Sequence, residues 1–381
     1  PGTMQLTEPQ SGSDLANLRT KAVPQGDGTY KISGTKIFIT YGEHDMTDNI
    51  IHLVLARTPD APAGTKGISL FLVPKFLVNA DGSLGARNDV RCQSVEHKLG
   101  IHASPTCVMV YGDAGGATGY LVGEENKGLN CMFTMMNNAR LGVGVQGVAI
   151  AERATQQALQ YSRDRKQGKA PGSKDLSPIG EHPDVKRMLM TMRALTNASR
   201  AICLRTASAL DRARNTNDPA VKKQAHEEAS LLTPIAKSFS TDAGIEAASL
   251  GVQVHGGMGF IEETGAAQHM RDARITAIYE GTNGIQAIDL VGRKIGQSGG
   301  ETLKRLMTEY RNTASEVAKS NDPAFGKTAQ RLNETLDALE RATKYMFEAM
   351  NRDQAEALAG ATPYQKLFGL ASGGVYLAQA A

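Results

Sequence analysis

The chain has 381 residues, 41% of them hydrophobic, which is enough to build two or three domains with sizeable cores. Its 42 basic and 39 acidic residues are mixed along the chain, and the net charge of +3 disfavours nucleic acid as a partner. No apolar run reaches the roughly 18 residues that span a bilayer, and Pro1 to Gln10 lacks the regions of a signal peptide.

The first third of the chain is rich in short β-type segments separated by Gly, Pro and Asp turns, from Gly28 to about Val122. The predicted strands are Tyr30–Ile32, Lys36–Thr40, Ile50–Ala56, Ile68–Val73 and Thr106–Tyr111. None of them alternates with a helix of about ten residues, so a parallel doubly wound sheet is not supported. The pattern predicts a small β-barrel or sandwich.

After Gly128 the apolar residues recur at helical spacing. One predicted helix carries Leu141, Val145, Val148, Ala151 and Ala154 on its apolar face, and the next carries Met188, Met192, Leu195, Ile202 and Leu210. The segments between helices are a loop at Gln167–Pro183 and a turn at Asn215–Pro219. Leu231–Leu250 is a third helix, and a helix after Glu280 completes a predicted antiparallel four-helix bundle.

Gln297–Gly300 is a predicted boundary, after which two further amphipathic helices follow as a helical appendix. The sequence therefore divides into a β domain at 1–127, a helical bundle at 128–296 and a C-terminal segment at 297–381. The apolar stretch from Val375 to the last residue suggests that the chain is cut there.

Ile278–Gln286 sets a single carboxylate, Glu280, between two predicted elements. Arg274–Ile278 before it is mostly apolar and β-branched, which predicts a strand, and Ile285, Ile288, Val291 and Ile295 after it predict a helix. A carboxylate at a helix start is explained by capping and the helix dipole alone. The alternative is a catalytic base.

Four segments in this order resemble the acyl-CoA dehydrogenase flavoprotein family: Leu6–Leu15, Ile37–Thr40, Gln253–Phe260 and Tyr279–Thr282. The similarity extends from about Met4 to Ile295. Within the family, the extra C-terminal segment and Arg271–Arg274 look most like the 3-methylmercaptopropionyl-CoA dehydrogenase branch. Family members carry an all-helical domain before the first motif, so the chain looks like a fragment that lacks it.

The resemblance implies an FAD-dependent conversion of an acyl-CoA thioester to a trans-2-enoyl-CoA. Such a reaction needs a base for the α-proton and a hydride acceptor, and since no amino acid accepts a hydride, a flavin must do so. By resemblance the base is Glu280. Burial would raise the pKa of Glu280 and the helix N-terminus would lower it, and the sequence does not decide between them. The implied electron acceptor is electron-transfer flavoprotein.

The resemblance also assigns contacts to the cofactor. Near the flavin ring and its surroundings it places Leu6, Thr7, Gly12, Ser13, Phe38, Thr40 and Thr282. On the same cofactor, but from a neighbouring subunit, it places Arg165, Gln167, Gln253, Gly256 and Gly257, which implies a homodimer or a dimer of dimers. From the residues alone, Ser11–Asp14 is also a plain turn and Gly257 is also a helix C-cap.

For the acyl-CoA substrate the resemblance implies Ser13, Asn137, Arg140 and Gly281. A helix-start salt bridge is the other explanation of Arg140. The chain departs from common family members by Phe38 in place of Trp, Asn137 in place of Asp and Gly284 in place of Gln, and it lacks the Phe that usually precedes Gly168. One flavin hydrogen bond is therefore in doubt. The implied substrates are short or medium acyl-CoA thioesters, including 3-methylmercaptopropionyl-CoA.

Two further patterns do not indicate a binding site for a dinucleotide or a metal. Gly142–Gly147 satisfies GxGxxG, but it follows a helical stretch and lies in no βαβ unit, so it is not a dinucleotide fingerprint. No His, Cys or acidic cluster has the spacing of a metal site, and four scattered cysteines without CxxC spacing fit reduced thiols in a cytoplasmic protein. Two other functions stay open: an acyl-CoA oxidase that uses oxygen, and a flavin-containing relative that binds DNA, which the missing basic stripe disfavours.

Overall fold

The computed structural model describes residues 1–320 and 322–381. They form two compact units, Pro1–Asn137 and Asn138–Ala381, and the division falls inside a long helix. Within the described ranges, no helix combines the length and the apolar character needed to cross a bilayer.

The first unit is a β domain. Its strands are β1 (Gly2–Gln5), β2 (Lys21–Pro24), β3 (Thr29–Thr40), β4 (Ile51–Ala56), β5 (Ser69–Pro74), β6 (Phe76–Val78), β7 (Leu84–Arg87), β8 (Val90–Val95), β9 (Thr106–Tyr111) and β10 (Ala117–Val122). Eight strands form one sheet in the order β1-β4-β5-β10-β3-β9-β8, with β2 paired to β3, and β6 and β7 form a separate pair. Only the β1–β4 pairing is parallel among the described strands.

A β-bulge between Lys36 and Ile39 interrupts the pairing of β3 with β9. At the bulge Phe38 has a φ of 60° and its side chain is 60% exposed, whereas Ile39 is buried in the core. The extra residue of a bulge bends its strand and redirects a side chain. Phe38, a predicted flavin contact, therefore points away from the core of the unit.

The second unit is helical. The helices of the chain are α1 (Gly128–Asp164), α2 (Pro183–Asn215), α3 (Pro219–His255), α4 (Ala266–Arg274), α5 (Asn283–Asp289), α6 (Glu301–Lys319), α7 (Thr328–Arg352) and α8 (Gln354–Ala380). A π-helical turn at Leu290–Lys294 continues α5. Short 3-10 turns lie at Gly64–Gly67, Ile179–Glu181, Gly256–Phe260, Glu262–Thr264, Ile275–Ala277, Gln297–Gly300 and Pro323–Phe325.

One core joins the long helices to the C-terminal helices. Ile235 of α3, Leu290 after α5, Leu306 of α6, Leu336 of α7 and Phe368 of α8 all belong to the same buried cluster. At Gln297–Gly300, the predicted boundary, Ser298 and Gly299 have positive φ values and the chain kinks. The helices on both sides of this kink nevertheless share their apolar core.

Several sequence predictions need correction. Arg274–Ile278 is not a strand, because the backbone N–H of Ile278 donates to the carbonyl of Ile275 at 2.8 Å and closes a helical turn. α3 begins twelve residues before the predicted Leu231, at Pro219, where Asp218 caps it by accepting from Ala220 and Val221. Local capping thus overrides the apolar pattern.

The finer predictions of a β-barrel or sandwich and of a four-helix bundle are not confirmed, and the appendix differs from its prediction. The helix after Glu280 is a short α-helix followed by a π turn. Among the described residues of the appendix there are three helices instead of two, since α8 is apolar on most sides and lacks the amphipathic period that identified the others. Val145 is exposed and does not lie on the core face of α1.

Candidate active site

Glu280 lies in a tight turn between the 3-10 turn at Ile275–Ala277 and α5. It has a φ of 57°, and Gly281 after it has a φ of 85°. A Cβ at position 281 would lie 2.7 Å from Nε2 of Gln286, so the turn accepts only glycine there without a shift. Non-glycine residues with positive φ are uncommon and often mark functional sites.

The turn is fixed by its own helix. Oγ1 of Thr282 accepts a hydrogen bond from the backbone N–H of Ile285 at 3.2 Å and caps α5. The hydroxyl proton of Thr282 is still available for a ligand, because a hydroxyl both accepts and donates. In the described part of the chain, the backbone N–H of Glu280 has no acceptor, so it can donate to a bound carbonyl oxygen.

Burial decides the protonation of Glu280. Desolvation raises the pKa of its carboxyl above the usual value, and the charges of Arg140 and Lys237 offset part of that rise. The sequence left open whether the pKa of Glu280 would be raised or lowered, and in the structure it is raised. A carboxylate with a raised pKa near two cations is suited to general-base work near neutral pH.

Arg140 lies on α1 and is only 7% exposed. Its Nη1 is 3.9 Å from Oδ2 of Asp289, and Oδ1 of that carboxylate accepts from Nε of Arg293 at 2.6 Å. Arg140 thus has a long salt bridge, but it lies inside α1 and not at a helix start as the alternative had it. Nε of Arg140 and Oε1 of Gln286 are buried without a hydrogen-bond partner among the described residues, which leaves polar groups beside Glu280 unused.

Lys237 and Asn283 were not predicted from the sequence. Lys237 is fully buried on α3, and its Nζ donates to Oδ1 of Asn283 at 2.8 Å. Burial lowers the pKa of Lys237 to about 8, although the charges of Asp242 and Glu280 act in the opposite direction. A lysine inside the apolar run Thr233–Phe239 was the signal that could have identified it.

The first flavin motif and strand β3 are joined within the β domain. The backbone N–H of Ile37 donates to the carbonyl of Thr7 at 3.0 Å, and Nζ of Lys36 donates to the carbonyl of Leu6 at 3.2 Å. Lys36 also forms a buried ion pair of 2.8 Å with Glu8. These contacts tie Leu6 and Thr7 to the part of β3 that immediately precedes Phe38.

The Ser11–Asp14 segment bends at Gly12 and Ser13. Oγ of Ser11 donates to the carbonyl of Asp14 at 2.6 Å. Gly12 and Ser13 at its tip are exposed, and a Cβ at Gly12 would meet nothing within 4 Å. The bend leaves open space above its backbone, which suits close approach by a planar ring.

A second group of predicted cofactor contacts lies at the ends of α1 and α3. The rings of Tyr161 and His255 stack with centroids 4.4 Å apart, which brings the segment after α1 close to the end of α3. Arg165 and Gln167 are exposed there, as are Gln253, Gly256 and Gly257. Gly256, not Gly257, is the C-cap of α3, with a φ of 61°. A Cβ at either glycine would meet nothing within 4 Å.

The two groups in the helical unit are far apart along α3. Asn283 contacts Thr241 in the middle of that helix, whereas Gly256 ends it. Fifteen residues of α-helix separate positions 241 and 256, which is about 20 Å. The catalytic turn and the glycine-rich end therefore do not meet at one point in this unit.

Three parts of the chain match the descriptions of known protein families. Residues 3–114 match the description "Acyl-CoA dehydrogenase, middle domain", residues 126–295 match "Acyl-CoA dehydrogenase, C-terminal domain", and residues 306–381 match "Acetyl-CoA dehydrogenase C-terminal like". The chain is 30% identical to a solved butyryl-CoA dehydrogenase from Megasphaera elsdenii, with a TM-score of 0.59, and covers 67% of it and 76% of itself. The chain belongs to the acyl-CoA dehydrogenase family.

Two further relatives cover nearly the whole chain. It is 54% identical to the 3-methylmercaptopropionyl-CoA dehydrogenase of Ruegeria pomeroyi over 98% of its own length, but it spans 63% of that relative. Caenorhabditis elegans ACDH-11, solved in complex with C11-CoA, shares the fold with a TM-score of 0.81 at 21% identity, covering 99% of this chain and 61% of that one. The chain thus spans less than two thirds of the length of these relatives.

The acyl-CoA dehydrogenase family is FAD-dependent, and the residues present fit this cofactor. Open space at Gly12, Gly256 and Gly257 allows close approach to the backbone, and the exposed guanidinium of Arg165 makes one contact of 3.5 Å, to Gln167. Backbone amides and an arginine suit a diphosphate. The exposed ring of Phe38 suits a flavin face.

Proposed function

We propose that this protein catalyses the α,β-dehydrogenation of an acyl-CoA thioester to a trans-2-enoyl-CoA. The observation that carries the proposal is the strained turn at Glu280, where a half-buried carboxylate with a raised pKa lies near Arg140 and Lys237. No other described carboxylate combines these features with a family motif. The site residues given by the resemblance remain part of this proposal.

The residues of the turn have distinct tasks. Glu280 accepts the α-proton of the thioester, and because burial raises the pKa of its carboxyl, the proton transfer is better matched than it would be to an exposed glutamate. The free N–H of Glu280 donates to the thioester carbonyl oxygen and so acidifies the α-carbon. Bound FAD would supply the hydride acceptor.

Arg140 and Gly281 serve the substrate in this proposal. Arg140 would hold the CoA portion with donors that Asp289 does not use, and Gly281 would contact the acyl-CoA through its backbone beside the carboxylate. Asn137 and Ser13 would add hydrogen bonds to the CoA moiety. On the cofactor side, Leu6, Thr7, Gly12, Ser13, Phe38, Thr40 and Thr282 would contact the flavin. Arg165, Gln167, Gln253, Gly256 and Gly257 would reach the cofactor of a neighbouring subunit.

Short or medium acyl-CoA thioesters, including 3-methylmercaptopropionyl-CoA, are the proposed substrates. The name of the Ruegeria relative and the C-terminal segment at 306–381 support this choice. A panel of acyl-CoA thioesters with the full-length protein and an artificial dye as electron acceptor tests it. A preference for short or medium chains is expected, and a clear preference for long chains would contradict the substrate choice.

Electron-transfer flavoprotein is the proposed physiological acceptor, which makes the protein a dehydrogenase and not an oxidase. The same assay separates the two activities, because an oxidase forms peroxide with oxygen alone. Substrate-dependent dye reduction without oxygen, with little peroxide in air, is the expected result. Rapid stoichiometric peroxide formation would overturn the dehydrogenase assignment, and the absence of any acyl-CoA-dependent reduction would overturn the proposed function.

A further inference from the structure

Lys237 is a buried cation without an ion pair. Its side chain is fully buried in the middle of α3, and among the described residues no carboxylate oxygen lies within the 4.0 Å that defines a salt bridge. A buried charge is costly when it has no close partner of opposite sign, and an apolar side chain of similar size would often be more stable. Packing alone therefore does not account for a lysine at this position.

Asn283 connects Lys237 to the catalytic turn. Its Oδ1 accepts from Nζ of Lys237 at 2.8 Å, and its Nδ2 donates to Oδ1 of Asp242 at 2.7 Å and to Oγ1 of Thr241 at 3.0 Å. Nδ2 also donates to the carbonyl of Ser238 at 3.3 Å. Asn283 is the first residue of α5, three positions after Glu280. The side chains of α3 thereby hold the start of the helix that carries the turn.

The charges around this contact come from four helices, α1, α3, α4 and α8, and from the turn of Glu280. Arg140 on α1 and Lys237 on α3 act on Glu280, while Asp242 on α3 and Glu280 act on Lys237. Lys366 on α8 and Arg274 on α4 in turn act on Asp242. Glu280 therefore has two cations near it, and Lys237 is the one that is also hydrogen-bonded to its turn.

We propose that Lys237 is a positioning residue for the base: its hydrogen bond to Asn283 holds the turn of Glu280 in place, and its charge stabilises the ionised carboxylate. The inference rests on the proposed function, since Glu280 is the base only in that reaction. Losing the charge favours the protonated carboxyl, so the enzyme needs a higher pH to keep its base ionised. Losing the hydrogen bond loosens the turn at every pH.

Two substitutions separate the charge from the hydrogen bond. Lys237→Met removes both, and Lys237→Gln removes the charge but keeps an N–H donor. Lys294→Met is the control, because Lys294 is a half-buried lysine of the same unit whose Nζ contacts Ser230, and its charge partners do not include Glu280. The rate of flavin reduction by butyryl-CoA is measured anaerobically from pH 5 to pH 9.

The acidic limb of the pH profile is expected to move upward by about one unit in both Lys237 variants, since a neighbouring charge shifts a carboxyl pKa by about 1 to 3 units. On that limb the rate should fall about tenfold, and at high pH only Lys237→Met should stay slow. Lys294→Met should keep the original limb. An unmoved limb in both Lys237 variants would overturn the inference while leaving the dehydrogenase activity intact. No reduction in the unsubstituted protein would instead refute the proposed function.

A measurement without substrate checks the same coupling. A double-mutant cycle is measured by thermal unfolding of four flavin-loaded proteins. They are the unsubstituted protein, Lys237→Gln, Glu280→Gln and the double variant. The Tm changes should be non-additive at pH 7.5 and close to additive at pH 4, where Glu280 is protonated. Additivity at both pH values would contradict the inference. If neither Lys237 variant retains flavin, Asn283→Ala is measured instead. It should lower the rate of flavin reduction at every pH without moving the acidic limb. An unchanged rate would refute the positioning role of Lys237.

Discussion

At the scale of single residues, the Glu280 carboxyl is held in a state that opposes folding at neutral pH. Burial raises its pKa, so the protonated form is favoured in the folded protein more than in the unfolded chain. Its contribution to stability is present below the ordinary glutamate pKa of 4.5 and is lost as pH rises through the raised value. At neutral pH the ionised side chain therefore lowers the free energy of unfolding.

Glu280→Gln is accordingly expected to raise Tm at pH 7.5. The gain should shrink towards pH 4, because the carboxyl of the unsubstituted protein is then protonated. Thermal unfolding of both proteins across this pH range is the measurement. A lower Tm for Glu280→Gln at pH 7.5 would show that the carboxylate is stabilised by its cations more than it is destabilised by burial.

The ionised carboxylate of Glu8 has the opposite effect on stability from that of Glu280, because it is paired with Lys36. Burial alone would raise the pKa of Glu8, but the charge of Lys36 and hydrogen bonds from Lys36, Thr20 and Arg19 lower it to about 2. The stability that this carboxylate contributes is present above its ordinary pKa of 4.5 and is lost as pH falls from there towards 2.

Glu8→Gln leaves the buried ammonium of Lys36 without its partner and should lower the free energy of unfolding by about 3 to 5 kcal/mol. The double substitution Glu8→Leu and Lys36→Met should recover part of that loss. Urea unfolding at pH 7 measures both. A loss below about 1 kcal/mol, the range of surface pairs, would show that the pair is not effectively buried.

At the scale of elements, glycines in α1 allow it to pack closely against α3. A Cβ at Gly147 would lie 2.4 Å from the carbonyl oxygen of Ser240, and one at Gly144 would lie 2.8 Å from that of Ala236. The GxGxxG pattern at Gly142–Gly147 is thus a helix contact and not a dinucleotide site. Gly142, in the same pattern, would meet nothing within 4 Å.

Gly147→Ala should therefore destabilise the protein by about 1 to 3 kcal/mol, as overpacking against backbone does. Gly142→Ala, the matched control, should stabilise it by up to about 1 kcal/mol through helix propensity. Chemical denaturation of both variants provides the comparison. Equal effects would mean that the close approach of the two helices does not matter for stability.

The elements also show what the sequence could and could not predict. The turn at Asn215–Pro219 follows from local signals and was predicted, as was an element junction at Glu280, although the start of α3 was placed too late, at Leu231. The run Arg274–Ile278 was misread because β-branched residues favour strands only weakly and local hydrogen bonds decide. The partners of Glu280 were only partly found: Arg140 came from the family motif, whereas Lys237 and Asn283 meet through a tertiary contact that no spacing along the chain reveals.

At the scale of the whole molecule, the proposed site has the Arg165 and Gly257 segments reach the cofactor of another subunit. We therefore expect flavin retention to depend on oligomerisation to at least a dimer. Exposed apolar side chains beside Gly257 agree with an interface there, since Phe260 is 86% exposed and Met258 is 48% exposed.

Arg165→Glu should weaken flavin retention, whereas Arg163→Glu, an equally exposed arginine two residues earlier at the end of α1, should not. Size-exclusion chromatography with detection at the flavin absorbance band measures size and cofactor together. A stable monomer that holds stoichiometric FAD would contradict the expectation.

The proposed role of Glu280 as the base of an acyl-CoA dehydrogenase is tested most directly by its reaction with substrate in the absence of oxygen. The flavin-loaded full-length protein is mixed anaerobically with butyryl-CoA or 3-methylmercaptopropionyl-CoA and followed at the flavin absorbance band. The unsubstituted protein should bleach rapidly, and Glu280→Gln should bind the same thioester and bleach at least roughly 100- to 10,000-fold more slowly. Bleaching of Glu280→Gln at the unsubstituted rate would remove Glu280 from the mechanism.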